Sequence, residues 1–336
     1  MKIAIIGAGA IGGYVGAKLA IAGNEVTFIV RGANLHAIRA RGIRLIAADG
    51  SDQVAADVQA TDDYAAPGPQ DLVILAMKAH QLDAVADKVA ALLGPETPVV
   101  TMQNGIPYWY FHRHGGALEG SRLSSVDPGS CLSDKIPPSR VIGCVVYPAS
   151  ELLAPGVVRH IEGERFPLGE LDGSVSERVT RVSECFTAAG FKSPVLDNIR
   201  GEIWLKLWGN LTFNPISSLA QSTLAEICQY PPSRELAASM MREAQAVAHK
   251  LGIEFRVTLD KRIAGAEKVG AHKTSMLQDV EAGRAPEIDA LVGSVAELGR
   301  LTQTPTPHID AVYALVKLLA RAMEAGHSRL RLETFA

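Results

Sequence analysis

Two observations predict a chain that is α/β in its first part and all-helical in its second. An apolar run, Ile3 to Ile6, leads into Gly7-Ala8-Gly9-Ala10-Ile11-Gly12 and then into a helical pattern. After about residue 197, glycine thins out and long amphipathic patterns take over. The expected division is an α/β domain over 1–197 and a helical domain over 198–336.

The 336 residues give room for two cores, and 47% hydrophobic with 21% charged residues is ordinary for a soluble globular protein. A net charge of −3 without long runs of one sign argues against a nucleic-acid partner. The four cysteines (Cys131, Cys144, Cys185, Cys228) are widely spread with no CxxC pair, which suits free thiols in a reducing, cytoplasmic compartment. His112 and His114 are the only close pair among the nine histidines, and no second Cys/His set accompanies them, so no metal is expected. The stretch "IAIIGAGAIGGYVGAKLAIAG" is apolar enough to imitate a signal peptide or membrane span. Lys18 and the glycines interrupt it, no clear cleavage pattern follows, and no membrane association is expected.

Each element of the first part has its own signal. Residues 7–12 read G-x-G-x-x-G between a strand and a helix, a dinucleotide-binding, Rossmann-type arrangement. Gly7 permits the tight turn, Gly9 lets a pyrophosphate approach the backbone, and Gly12 lets helix and strand pack closely. The bland alternative is a glycine-rich turn joining any strand to any helix. The second strand, Glu25 to Val30, ends in Arg31 about 20 residues past the motif, where an NAD site usually has Asp or Glu. An arginine there suits the 2′-phosphate of NADP; otherwise it is a solvated strand end. "QDLVILAMKAHQ" predicts a strand and a turn carrying Lys78, then a helix over 81–93. "PVVTMQNGIP" predicts a strand ending at Asn104-Gly105. Ligands of open α/β sheets lie beyond the carboxyl ends of strands, which places Lys78 and Asn104 well for contact with a nucleotide or its substrate; the alternatives are a surface loop lysine and a plain turn. Residues 106–139 lose all periodicity. Their aromatics Tyr108 to Phe111 either wall a pocket or pack a loop. "RVIGCVVYPAS", "GVVRHI" and "ERFPLGE" are expected to complete the sheet.

In the second part, "IWLKLWGNLTFNP" sets Lys206, Asn210 and Asn214 four apart. Such residues drift only about 40° per step on a helix and form one polar stripe. Trp204, Leu207, Trp208 and Leu211 are the expected core face. Buried polar groups are costly unless partnered, so the stripe favours a ligand over an exposed edge. Ser233 is the expected N-cap of the next long helix and Gly252 its terminator, and Pro307 is expected in the first turn after Thr306. Ser275 and Gln278 form a capping-box pattern, and Glu287 is expected at a helix start, facing the positive dipole end.

Taken together, GAGAIG, Arg31, "MKAHQ", "QNG", "KLWGNLTFNP" and "TSMLQD…EID" resemble the ketopantoate reductases (2-dehydropantoate 2-reductases) along most of the chain. The resemblance implies a 6-phosphogluconate-dehydrogenase-like pair of domains, NADPH as cofactor, and reduction of a small 2-oxo acid, 2-dehydropantoate, to (R)-pantoate on the route to coenzyme A. By matching motif positions, Lys206 would be catalytic with Glu287, which would also lie near the cofactor. Asn210, Asn214, Ser275 and Asn104 would bind substrate. Gly7, Ala8, Gly9, Ala10, Ile11, Gly12, Arg31, Lys78 and Asn104 would contact the cofactor. Burial against Trp204 and Trp208 would push the lysine pKa down and make it a better acid. A homodimer is one assembly open to such a chain. A different 2-oxo acid, or a non-catalytic NADP(H) sensor, are the competing readings. Leu224 stands where many members keep a polar substrate contact, and 106–139 is longer than a minimal member needs.

Overall fold

A computed structural model describes residues 1–333; residues 334–336, the end of the expected 198–336 domain, lie outside the described residues. The chain forms two compact units. Among the described residues, the first comprises 1–103, 108–122 and 127–199, and the second comprises 104–107, 123–126 and 200–333.

In the first unit, β1 (Lys2–Ile6), α1 (Ala10–Ile21) and β2 (Glu25–Ile29) are followed by α2 (Gly32–Arg41), β3 (Ile43–Ile46), β4 (Asp52–Ala55) and β5 (Gln59–Thr61). Then come β6 (Leu72–Leu75), α3 (Ala86–Val89), β7 (Val99–Thr101), α4 (Cys131–Lys135), β8 (Val141–Cys144), β9 (Ala149–Ala154), β10 (Val157–Glu162), β11 (Leu168–Gly169) and α5 (Glu177–Ala188). The main sheet has the order β11-β8-β7-β6-β1-β2-β5, parallel except for β11. β1 and β6 are buried on both faces, as the unbroken runs KIAII and LVIL require. The chain leaves β1 for β2 on one side and later crosses to β6 on the other. That reversal puts the switch point, where such sheets take ligands, at the carboxyl ends of β1 and β6.

Two sequence expectations need correction here. Of the three late strand signals, only β8 and β11 join the main sheet. β9 and β10 instead pair with β3 and β4 in a second sheet of order β4-β3-β10-β9, lying against α1. Its long-range pairing of β10 with β3 is invisible to local patterning. The helix expected over 81–93 shrinks to α3 between two short 3-10 turns, Ala79–Gln81 and Ala90–Leu92. Val85, with a φ of −125°, leaves the helical region and breaks the run, although Leu82, Ala86, Val89 and Leu92 are all buried.

Residues 108–111 are packing residues. Tyr108, Trp109, Tyr110 and Phe111 are buried, Tyr108 Oη donates to Ile136 O at 2.9 Å, and Trp109 Nε1 donates to Thr101 Oγ1 at 3.0 Å. Desolvation pushes the Tyr108 phenol far above its ordinary value, so it stays a donor. Further along the insertion, the buried Asp127 carboxylate accepts from Leu132 N at 2.7 Å and Ser133 N at 3.1 Å, organising α4.

The second unit is helical: α6 (Ile199–Ala220, whose first residue belongs to the first unit), α7 (Leu224–Gln229), α8 (Pro231–Lys250), α9 (Leu259–Lys268) and α10 (Ser275–Glu281). A π-turn (Asp289–Gly293), α11 (Ser294–Leu301) and α12 (Pro307–Ala325) follow. Trp204, Leu207, Trp208 and Leu211 are buried as the periodicity requires, and Trp208 Nε1 donates to Met241 O at 2.8 Å, tying α6 to α8. Pro215 lies inside α6 and cannot donate to Leu211 O. Thr306 caps α12 with Pro307 at its first position, and Gly252 (φ +76°) follows the end of α8.

The capping expectations at Ser233 and Ser275 are both displaced. Tyr230 is the cap of α8, and Ser233 Oγ sits inside the first turn, donating to Ile227 O at 2.7 Å. Thr274 caps α10 by accepting from Leu277 N at 3.3 Å, leaving Ser275 exposed at the first helical position. Of two adjacent hydroxyls, the one that takes extended backbone becomes the cap.

Candidate active site

The glycine turn is built for close backbone approach. Gly7 has a φ of +97°, and a Cβ at Gly12 would lie 2.0 Å from Gly7 O, so α1 starts directly against the turn. A Cβ at Gly9 would meet nothing within 4 Å, and Gly9 is exposed at the N-cap of α1 with no side-chain cap. An uncapped helix start beside an open glycine fits an anionic diphosphate. Ala8, Ala10 and Ile11 complete that turn.

Arg31 is exposed between β2 and α2, whose N-cap it forms. Two neighbours carry no motif signal. Asn34 Nδ2 donates to Ala8 O at 3.1 Å while its Oδ1 accepts from Gly156 N at 3.0 Å, pinning the glycine turn. Tyr64 lies within electrostatic range of Arg31: burial pushes its phenol pKa up, and the Arg31 charge pulls part of the way back. Only the fold brings Asn34 to the turn and Tyr64 near Arg31. Lys78 begins the 3-10 turn after β6, its N–H donating to Gln81 Oε1 at 3.3 Å. Gln103 Nε2 donates to Leu75 O at 2.8 Å and Met77 O at 2.9 Å, which fixes the backbone beside that lysine.

The second unit gathers a polar row. Lys206 Nζ, half-buried on α6, donates to Asn104 Oδ1 at 2.6 Å. Asn104 Nδ2 in turn donates to Glu287 Oε2 at 3.3 Å. An ammonium, an amide and a carboxylate are therefore joined in one hydrogen-bonded row, with Asn104 102 positions from Lys206 and 183 from Glu287 in the chain. The short ammonium contact is charge-assisted and orients the lysine. Asn210 is half-buried and Asn214 buried further along the same helix face. Glu287 does not begin a helix as expected. It precedes Ile288, the N-cap of the π-turn, and its carboxylate is turned to Asn104. Ser275 stands on α10 of the same unit, outside the hydrogen-bonded row. His114, of the histidine pair, packs on Tyr110 and Phe111 with Nδ1 3.0 Å from Gly115 O.

Comparison with known proteins places the chain in a family. Residues 3–173 match the family model for ketopantoate reductase PanE/ApbA, and residues 198–320 match the model for its C-terminal domain. The chain belongs to the ketopantoate reductase family. A 2-dehydropantoate 2-reductase of Mesorhizobium japonicum is 58% identical over 95% of this chain and 98% of its own length. Another from Pyrococcus horikoshii is 30% identical over 94% and 97%. Among solved structures, a provisionally assigned ketopantoate reductase from Ralstonia solanacearum superposes with a TM-score of 0.92 at 41% identity, covering 96% of this chain and 98% of that one. Among the described residues, no helix is long and apolar enough to cross a membrane.

Proposed function

We propose that this chain reduces the ketone of 2-dehydropantoate to (R)-pantoate with NADPH, in pantothenate and coenzyme A biosynthesis. The observation that carries the reading is the Lys206–Asn104–Glu287 row, a proton donor held by an amide that is itself held by a carboxylate. The residues Gly7 to Gly12, Arg31 and Lys78 would hold the cofactor, which supplies the hydride to the ketone carbon.

The protein's own part follows from charge. Negative charge grows on the carbonyl oxygen as its carbon is reduced, and a positioned ammonium stabilises that charge and donates the proton. Lys206 is the group of this type in the row. Asn104 fixes where its Nζ points, and the Glu287 carboxylate keeps the Asn104 amide oriented so that its oxygen faces the lysine. Glu287 is also suited to accept from the nascent hydroxyl. Asn210 and Asn214 offer uncharged hydrogen bonds to the substrate. The exposed Ser275 hydroxyl, in the first turn of α10, suits the substrate carboxylate. Lys206 then recovers its proton from solvent.

The direct test follows loss of NADPH absorbance with ketopantoate, beside NADH and a panel of other 2-oxo acids. The expected result is fastest turnover with ketopantoate and NADPH. Saturable NADPH binding without turnover of any acid would support a sensor instead, and preference for another acid would move the substrate assignment. Arg31→Ala should raise the KM for NADPH about 10- to 100-fold, the worth of a charge-assisted phosphate contact, and leave NADH kinetics unchanged. Equal losses with both cofactors would remove Arg31 from the discrimination.

A further inference from the structure

Neither Asn104 nor Glu287 lies in regular secondary structure: one sits in the turn after β7 and the other just before the π-turn. Their alignment has to come from elsewhere. Gly105 has a φ of +90° and runs so close to the π-turn that a Cβ there would lie 2.0 Å from Ala290 O. Ile106 N–H donates to that same oxygen at 2.9 Å. The Asn104 turn is thus fastened to the π-turn, and Glu287 leads directly into it. Whatever fixes the π-turn fixes both ends of the Asn104–Glu287 contact.

A cluster outside the row does this. Asp289, the first residue of the π-turn, accepts from Tyr313 Oη at 2.7 Å and from Lys317 Nζ at 3.0 and 2.9 Å. Tyr313 and Lys317 stand one helical turn apart on α12 and present their donors on one face. The Tyr313 ring also covers Gly293 at the far end of the π-turn, where a Cβ would lie 2.9 Å from Cε2. Burial and the Asp289 carboxylate push the Tyr313 phenol upward, so it remains a donor throughout the working pH range. π-turns are rare and frequent at functional sites, and this one is braced from α12.

The geometry points to Asp289, Tyr313 and Lys317 as positioning residues for the reduction, acting through the π-turn to hold Asn104 and Glu287 in register with Lys206. The inference rests on the proposed reduction for its kinetic readout and on the Ile106–Ala290 hydrogen bond for a readout that needs no activity.

Asp289→Ala should lower kcat about 30-fold, within the cost of a roughly 1 Å misplacement, while the Kd for NADPH stays within about twofold. Tyr313→Phe, which keeps the ring, should lose about fivefold, and Asp289→Asn should restore most of the alanine loss. Because Asp289 acts in part through Asn104, its effect should shrink well below multiplicative in an Asn104→Ala background, since the two changes share one interaction. Hydrogen exchange at the Ile106 amide should rise in Asp289→Ala at a temperature well below its Tm. Effects that multiply in the double variant, or an unchanged kcat, or undiminished Ile106 protection, would each overturn the positioning role. Should Asp289→Ala fail to fold, the same three readouts on Tyr313→Phe decide the matter. A wild-type protein inactive on ketopantoate would sink the proposed reaction, and the Ile106 exchange would still test the clamp.

Discussion

Replacing Lys206 by alanine is expected to lower kcat for ketopantoate reduction by about 10³-fold, because charge stabilisation and proton donation are lost together. The structure supplies the reasons to expect a clean effect. Lys206 is half-buried on α6, between the fully buried Trp204 and Trp208 that anchor that helix, so the backbone has no cause to move. Its ammonium is oriented by Asn104 at 2.6 Å, and truncation leaves an amide oxygen that water can reach. NADPH titration by fluorescence and the circular dichroism melting curve should match the wild type. Lys206→Arg separates the two roles. A guanidinium keeps the charge but does not release its proton near neutrality, so it should recover charge stabilisation and not turnover. An alanine variant within about tenfold of wild-type kcat would remove Lys206 from the chemistry, since general acid catalysis alone is typically worth more than that.

What could be read from the sequence, and what could not, divides along range. The glycine turn is legible because its three glycines act within six residues, each through a local steric demand that the structure repeats at Gly7 and Gly12. The α6 stripe is legible because 3.6 residues per turn converts spacing into a face. The partner of Lys206 is a different case. Asn104 sits 102 positions away, after a strand of the first unit, and belongs to the second unit only because Gly105 and Ile106 dock on Ala290. No periodicity encodes that docking. The same holds for the second sheet, where β3 pairs with β10 across more than a hundred residues through short, half-exposed strands. Asn34 and Tyr64 carry no sequence signal for a related reason, since Asn34 reaches the glycine turn and Tyr64 the neighbourhood of Arg31 only when β2, α2 and β5 are assembled. The aromatic run at 108–111 was ambiguous because a buried ring and a pocket wall share one composition; Thr101 and Ile136 decide it as packing.

The two glycines at the start of α1 should differ in stability on substitution by alanine while both lose NADPH affinity, which tests the cofactor turn more sharply than either alone. A Cβ at Gly12 would lie 2.0 Å from Gly7 O and 2.8 Å from Ala76 Cβ. A backbone oxygen cannot step aside, so α1 must lift from the turn by more than an ångström. Gly12→Ala should therefore lose about 1–3 kcal/mol of stability in urea, the usual range for overpacking against a rigid neighbour. It should also weaken NADPH binding by about 10²-fold or more, as amides of the helix start leave register with the diphosphate and each charge-assisted bond is worth about 1.5–3 kcal/mol. Gly9 has a φ of −73°, which alanine adopts freely, and open space where the methyl would go. Gly9→Ala should melt like the wild type or slightly above it, since alanine restricts the unfolded chain. Its NADPH affinity should nonetheless fall by about tenfold or more, because the methyl occupies the space through which a diphosphate reaches the backbone. Stability and affinity thus separate at Gly9 and fall together at Gly12. If Gly9→Ala binds NADPH normally, the open side of Gly9 is not where the diphosphate lies. If Gly12→Ala keeps both stability and affinity, the close contact with Gly7 is not what fixes the turn.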